Sequence, residues 1–334
     1  MTDLFVAAAR LDMRTVTDAI PPSVRRSLDS SATPRPDGDD VVVELGPWTT
    51  RTPARHFVPS LALLAARAPS VRFELAARRA GAWSAWIATA TLGDHTFAPL
   101  SASADGFRAD IDEIHAVPPV DAIRLRVRVG GPDRTAMFEA PWLVTVSAWD
   151  GVTSGDVAAC GVSLAVLPRT QMTEPEAIRL RICSPTSVGM AMEYLGRAVP
   201  TVALAEEIFH APTDRYGVWP AAVRAAATHG LPGYVLRFPE WNAVAWCLGR
   251  SLPIVASIRY EAGELTNAAI PETTGHLIVI TGMEGDDVLV NDPAASMTSE
   301  VTRRYRRTEL TRVWLERTGI GYVLFAPLPS GHRR

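Results

Sequence analysis

The sequence predicts a two-domain α+β chain, in which an all-β sandwich domain precedes a domain of mixed helices and strands. Three observations carry this reading. At 334 residues the chain is longer than one core usually organises. Between residues 41 and 155 the signals are short strand-like runs separated by Gly, Pro and Asp turns. After that, helix-period runs come first and strand runs follow, which is the order of an α+β domain.

Residues 1–40 are poorly patterned and close in a loop-like stretch, Ser30–Asp40, with Pro34, Pro36 and Gly38. Strand candidates follow at Val41–Leu45, Val71–Arg78, Trp83–Leu92, Phe107–Ile114, Ala122–Gly130 and Trp142–Trp149. The clearest is Ile123–Val129, a strict alternation that buries Ile123, Leu125, Val127 and Val129 and turns Arg124, Arg126 and Arg128 outward. That arginine face suits a solvated outer surface better than an anion site. Residues 150–156 are turn-rich and take the domain boundary, which divides the chain into 1–40, 41–155 and 156–330.

Beyond a further strand candidate at Gly161–Pro168, the spacing of Val188, Ala191, Met192 and Leu195 predicts the buried stripe of a helix. Gly196 stands where its C-terminal cap belongs, and Pro200 prevents continuation. Trp219–His229 reads as a second helix, stopped by Gly230 and Pro232, and Glu240–Gly249 as a third. Strand runs then come at Ile254–Tyr260, His276–Gly282, Val288–Asn291 and Tyr322–Phe325.

Composition excludes several functions. The net charge of −3 gives no electrostatic case for nucleic acid or an anionic membrane. All 33 basic residues are arginine, which reads as compositional bias of the source rather than a device. No run reaches the ~18 apolar residues of a membrane span, and the first residues lack a basic signal-peptide start. Three cysteines, Cys160, Cys183 and Cys247, cannot build a disulfide framework. A cytoplasmic protein is expected, or a secreted one if a leader has been removed. There is no HExxH, no CxxC and no phosphate-binding glycine loop, so no metal or cofactor is expected. His56, His95, His115, His210, His229 and His332 are scattered and receive no chemistry.

The chemistry concentrates on three residues. Cys183 opens Cys-Ser-Pro-Thr-Ser directly before the apolar helix, and Pro185 suits a first helical turn. A sulfur at a helix start is where a thiol ionises most readily. Cys160 and Cys247 lie in apolar runs and read as inert buried cysteines. His276 and Asp292 lie on the two arms of a predicted hairpin, opposite or nearly so across the pair. A carboxylate there would fix the imidazole tautomer and stabilise the imidazolium formed when the thiol loses its proton.

Cys183-Ser-Pro-Thr-Ser, Gly275-His-Leu-Ile-Val and Val290-Asn-Asp-Pro resemble a bacterial branch of the papain-like cysteine peptidases, related to those that trim bacteriocin leaders at double-glycine sites. Tyr216–Pro220, Gly263–Leu265 and Arg312–Leu315 also look similar, so the resemblance spans about residues 165–327. It implies a papain-like domain with N-terminal helices packed on an antiparallel sheet, often preceded by a β-rich domain. It implies Cys183 as nucleophile, His276 as general base and Asp292 as orienting acid. Gln171, the only glutamine of the chain, becomes the candidate for the oxyanion hole, although twelve residues is a looser spacing than the papain arrangement. Ile182 stands where many relatives carry tryptophan. Tyr216 and Trp219 are candidate cleft residues, and Trp241 a weaker one, although aromatics in such positions more often belong to the core.

The function this points to is hydrolysis of a peptide or related amide bond through an acyl-thioester. The alternatives are an acyltransferase or amide ligase using the same three residues, and a non-catalytic scaffold on a peptidase-like fold. The substrate's identity and the oligomeric state stay open.

Overall fold

The computed structural model describes residues 1–151 and 161–327. The expected boundary near residue 155, the ends of the segments drawn there and at 330, and Cys160 lie outside the described residues.

The N-terminal half is β-rich. Its strands are β1 (Thr2–Ala9), β2 (Arg25–Asp29), β3 (Arg35–Asp37), β4 (Asp40–Leu63), β5 (Ser70–Arg79), β6 (Ala82–Trp83), β7 (Ile87–Ala88), β8 (Ser103–Ala104), β9 (Phe107–Ala109), β10 (Ile114–Gly130) and β11 (Trp142–Trp149). Two short helices interrupt them, α1 (Met13–Asp18) and α2 (Ala136–Glu139). The main strand order is β2-β1-β11-β4-β10-β5-β6, antiparallel except for the parallel β1–β2 pair.

Three expectations need correction here. Residues 1–40 are not an unpatterned segment, because β1 pairs along its whole length with β11. Its run Leu4-Phe5-Val6-Ala7-Ala8 is buried on both faces, so it shows a continuous apolar stretch rather than an alternation. Val41–Leu45 is only the start of the 24-residue β4, which continues through Pro47, Pro53 and Pro59. Its first part pairs with β10 and its last part with β11, with register shifts where β10 passes His115 to Leu125. Trp83–Leu92 is mostly irregular and supplies only β6 and β7.

The alternation in β10 folds as read. Ile123, Leu125, Val127 and Val129 are buried, but the arginine face is not the solvated outer surface expected, because its guanidinium groups are consumed internally. Arg126 and Arg128 both reach the buried Glu74, at 3.2 and 2.8 Å, and Arg128 also pairs with Asp37 and Asp40. Arg124 and Arg126 lie over the rings of Trp83 and Trp86.

The C-terminal half places helices before most of its sheet. Its elements are β12 (Val162–Ser163), α3 (Cys183–Tyr194), α4 (Thr201–Ile208), α5 (Trp219–Thr228), β13 (Gly233–Arg237), α6 (Trp241–Gly249), β14 (Ile254–Tyr260), β15 (Thr273–Glu284), β16 (Asp287–Asn291), β17 (Thr302–Arg306), α7 (Arg307–Leu310) and β18 (Ile320–Leu324). The antiparallel sheet runs β13-β18-β14-β15-β16-β17, with β12 on β15. The sequence reading lacked α4, β13, β17 and α7. Helix α3 buries Ser184 through Met192, not a single stripe, because α4 and α5 cover one side and β15 the other. It ends as predicted: Gly196 takes φ +82°, and the N–H of Arg197 bonds back to the carbonyl of Met192 in a Schellman cap.

The halves share one continuous core. β13 is an edge strand, and its outward N–H groups at Val235 and Arg237 donate to the hydroxyls of Ser60 and Ser147, at 3.4 and 3.0 Å. Those serines lie on β4 and β11, so the N-terminal half covers an edge that would otherwise be open to pairing. The phenol of Tyr234 donates to the carbonyl of Ala19 at 2.6 Å, and the Arg224 guanidinium to those of Ala68 and Pro69. The Trp219 N–H, at the first residue of α5, donates to the carboxylate of Asp112 at 2.8 Å.

Candidate active site

Cys183 is the first residue of α3, with Ile182 as the N-cap. No residue of the first turn can receive its backbone N–H, so that donor faces outward with the positive end of the helix. The thiol is half-buried and free. The helix is pinned to the strand that carries His276, because the Ser187 hydroxyl donates to the carbonyl of Leu277 at 3.0 Å. Thr186 donates back to the Ile182 carbonyl at 2.7 Å and holds the first turn.

His276 lies on β15 and Asp292 just past the end of β16. The His276 Nε2–Asp292 Oδ1 distance is 2.7 Å, with both side chains buried. The expectation that they face each other across the hairpin needs one adjustment. Val279 pairs with Asn291 and Ile280 with Val290, which places Asp292 level with Ile278 and two residues from His276. The contact is therefore diagonal, a reach of ~7–8 Å between Cα atoms that an imidazole spans. With Nε2 held by Asp292, the other ring nitrogen is left for the sulfur, and the Cys183 thiol and the His276 ring shift each other's ionisation.

Asp292 is held from several sides. Its Oδ2 accepts from the phenol of Tyr305 at 2.7 Å and its Oδ1 from the Ala294 N–H at 3.0 Å, while its own N–H donates to the Val301 carbonyl. Neighbouring Asn291 donates to the Val166 carbonyl and accepts from Thr302, fixing the strand end. Tyr305 is the contributor that sequence reasoning missed. It sits on β17 among arginines, Thr302-Arg-Arg-Tyr-Arg, and nothing in that run marks one aromatic as the partner of a buried carboxylate.

The electrostatics follow from these contacts. Burial alone would push the Asp292 carboxyl up, but the His276 ring and the hydroxyl of Tyr305 outweigh it and hold the carboxyl below its usual range. Burial likewise pulls the His276 ring down, and the adjacent Asp292 carboxylate and Cys183 sulfur reverse this, raising it to about 10. Burial pushes the Cys183 thiol up, and the neighbouring His276 ring brings it below its ordinary value. The resting arrangement this favours is a thiolate beside an imidazolium beside a carboxylate.

Gln171 is buried near the strand end that carries Asp292: its N–H donates to the Pro293 carbonyl at 2.9 Å. Its side-chain Nε2 donates to the Arg179 carbonyl at 2.7 Å, and its Oε1 has no partner. Tyr216 packs on Phe209, with ring centroids 4.7 Å apart, and under the guanidinium of Arg181, two residues before the cysteine. Trp219 instead faces the contact between the halves, lining a cavity of about 860 Å³ with Arg72, Asp112 and Arg215. Trp241 is buried, its indole N–H donating to Thr311, so it belongs to the core.

Residues 163–322 match the model of the Peptidase_C39 like family. The C-terminal half is C39-like. The resemblance to papain-like cysteine peptidases drawn from the motifs thus stands for the C39-like half, and all three residues of the constellation fall inside the matched span. Among solved structures, a chain described as a C39-like peptidase from Bacillus anthracis is 14% identical, with TM-score 0.38, over 50% of this chain and 98% of that one. The peptidase domain of Streptococcus ComA, a bi-functional ABC transporter involved in quorum sensing, is 16% identical, with TM-score 0.32, over 44% of this chain and 93% of that one. No curated protein matches the chain. Among the described residues no helix is long and apolar enough to cross a membrane.

Proposed function

We propose that the protein is a thiol hydrolase that cleaves a peptide or related amide bond through an acyl-thioester on Cys183. The observation that carries this is the line from Tyr305 through Asp292 and His276 to a sulfur on the first residue of a helix. A structural cysteine needs no ionising partner, and a structural histidine needs no second carboxylate contact beneath it. Here each group is held by the next.

In the proposed reaction the Cys183 thiolate attacks the carbonyl carbon and the developing oxyanion is met by the backbone N–H of Cys183. Gln171 would add a donor through the amide hydrogen it does not spend on Arg179. The imidazolium of His276 protonates the leaving amine, giving the thioester and a neutral ring. Water, deprotonated by that ring, then releases the acid and restores the thiolate–imidazolium pair. Asp292 keeps Nε2 as the donor nitrogen throughout.

The test is a screen of peptidyl electrophiles against wild type and Cys183→Ala, followed by product analysis of any peptide so identified. A hydrolase gives the free acid, with turnover lost in Cys183→Ala. Amide or thioester products in the presence of an added amine or thiol would move the assignment to acyl transfer. Absence of any Cys183-dependent adduct would favour a scaffold.

A further inference from the structure

We propose that His56, His115 and Glu113, with Asp110 beside them, bind a divalent transition-metal ion of the zinc class. Along the chain these histidines are 59 residues apart and read as scattered, but the fold makes them neighbours. His56 on β4 and His115 on β10 are direct partners in the antiparallel pair, which points their side chains to one face ~5 Å apart. Their rings meet edge to face, with centroids 5.1 Å apart.

Glu113 lies between the two imidazoles. Its Oε1 is 2.9 Å from His56 Nδ1, and its Oε2 is 3.7 Å from His115 Nε2. Asp110 Oδ2 is 3.2 Å from the same His115 nitrogen. One donor atom from each of His56, Glu113 and His115 lies within 4.8 Å of the other two, and among the described residues this is the one such grouping. Around a tetrahedral ion with bonds of ~2.0–2.1 Å, neighbouring donors sit ~3.3 Å apart, so the observed spacings need adjustments of an ångström or so. All three side chains are half-buried, and the His56 ring is backed by Trp149, stacked at 5.1 Å and 14°.

Donor chemistry selects the ion. Two imidazoles with carboxylates suit Zn²⁺ and its neighbours, whereas Ca²⁺ and Mg²⁺ want oxygen alone. Position suggests the use. Asp112, between Asp110 and Glu113, receives the Trp219 N–H at the start of α5, so an ion here would stiffen the loop that grips the C39-like half. The role is structural and lies outside the thiol chemistry, so the two proposals stand or fall separately.

The experiment uses metal-stripped full-length Cys183→Ala protein, which removes the thiolate as a competing ligand. Co²⁺ titration is followed by its visible absorption and Zn²⁺ titration by calorimetry. One equivalent of each should bind, and Zn²⁺ should raise the melting temperature by several degrees. His56→Asn with His115→Asn should weaken binding at least 100-fold, and Glu113→Gln, which keeps the shape of the side chain, about 10-fold. Absence of stoichiometric binding to the parent, or undiminished binding in both folded variants, overturns the proposal.

Discussion

Cys183 and Cys247 sit in the same half of the chain, and their surroundings move their thiols in opposite directions. Cys247, fully buried in α6, meets chiefly desolvation, which drives its thiol far above the ordinary range. Cys183 is desolvated too but also meets an imidazole held by a carboxylate, and the balance reverses. Two aspartates repeat the contrast. Asp292 has the His276 ring, a phenol and a backbone N–H, and its carboxyl is pulled down. Asp112 is packed between the halves with a backbone N–H as its main donor, and burial lifts it to about 6. In both pairs it is partners, more than depth, that set the charge state.

The widest gap should appear in thiol reactivity. An ordinary thiol near pKa ~8.5 is well under ~1% ionised at pH 6, whereas a paired thiolate is mostly ionised. Lower basicity takes back part of that gain, leaving a net advantage of about tenfold or more. Iodoacetamide with peptide mapping at pH 6–7 should therefore label Cys183 first, ahead of Cys247 and Cys160. In His276→Ala, burial acts on Cys183 unopposed and the preference should vanish. Equal rates for Cys183 and Cys247 in the wild type would erase the contrast. Turnover and labelling should also part company at alkaline pH. Turnover should fall as His276 loses its proton near pH 10, because the leaving amine then has no acid, while labelling continues. The same shift fixes the sign for stability. The folded-state value lies above the ordinary 6.5, so the stability from His276 is whole below 6.5 and is lost as pH rises through about 10.

A smaller effect should come from Tyr305→Phe, which removes one hydroxyl donor from Asp292 and leaves the ring. A hydrogen bond to a charged group is worth ~1.5–3 kcal/mol, so about a tenfold loss in turnover is expected, with Cys183 labelled more slowly at pH 6. Its stability loss should be largest above the ordinary carboxyl value of 3.8 and fade as pH falls through the lower folded value of Asp292. A Tyr305→Phe protein less stable by the same amount at pH 3 and pH 7 would make the phenol a packing group only.

What was legible in the sequence followed from local chemistry. A cysteine before Pro185 and an apolar helix marks a helix start, and an apolar run from His276 with Asp292 on its return arm marks a hairpin. The two-residue offset was not legible, because it is set jointly by the tight turn that pairs Glu284 with Asp287 and by a bulge between Ile280 and Gly282 that moves the register by one, at a glycine whose added Cβ would clash with the Val162 carbonyl. Tyr305 was hidden because β17 lies at a sheet edge with arginines on its exposed positions. β1 and β13 were missed for the opposite reason: strands buried on both faces lose the alternation that announces a strand. The His56–His115 pairing depends on register between two long strands, which no short-range pattern carries.

The finest comparison is between a carboxylate that is wanted charged and one that is not. Asp112 need only accept the Trp219 N–H, and an amide oxygen can do the same without carrying charge into the contact between the halves. Because folding raises its pKa from 3.8 to about 6, the stability tied to its protonated form is present below 3.8 and lost as pH climbs through 6. Asp112→Asn should match the wild type at pH 4 and gain on the order of 1 kcal/mol at pH 8, read from denaturant midpoints. Asp112→Ala, which removes the acceptor, should lose about 1 kcal/mol at pH 4, as a lost helix cap does. An Asn variant weaker than wild type at pH 8 would mean that the start of α5 and Arg215 favour the charge more than burial opposes it, and Asp112 would then belong with Asp292 rather than against it.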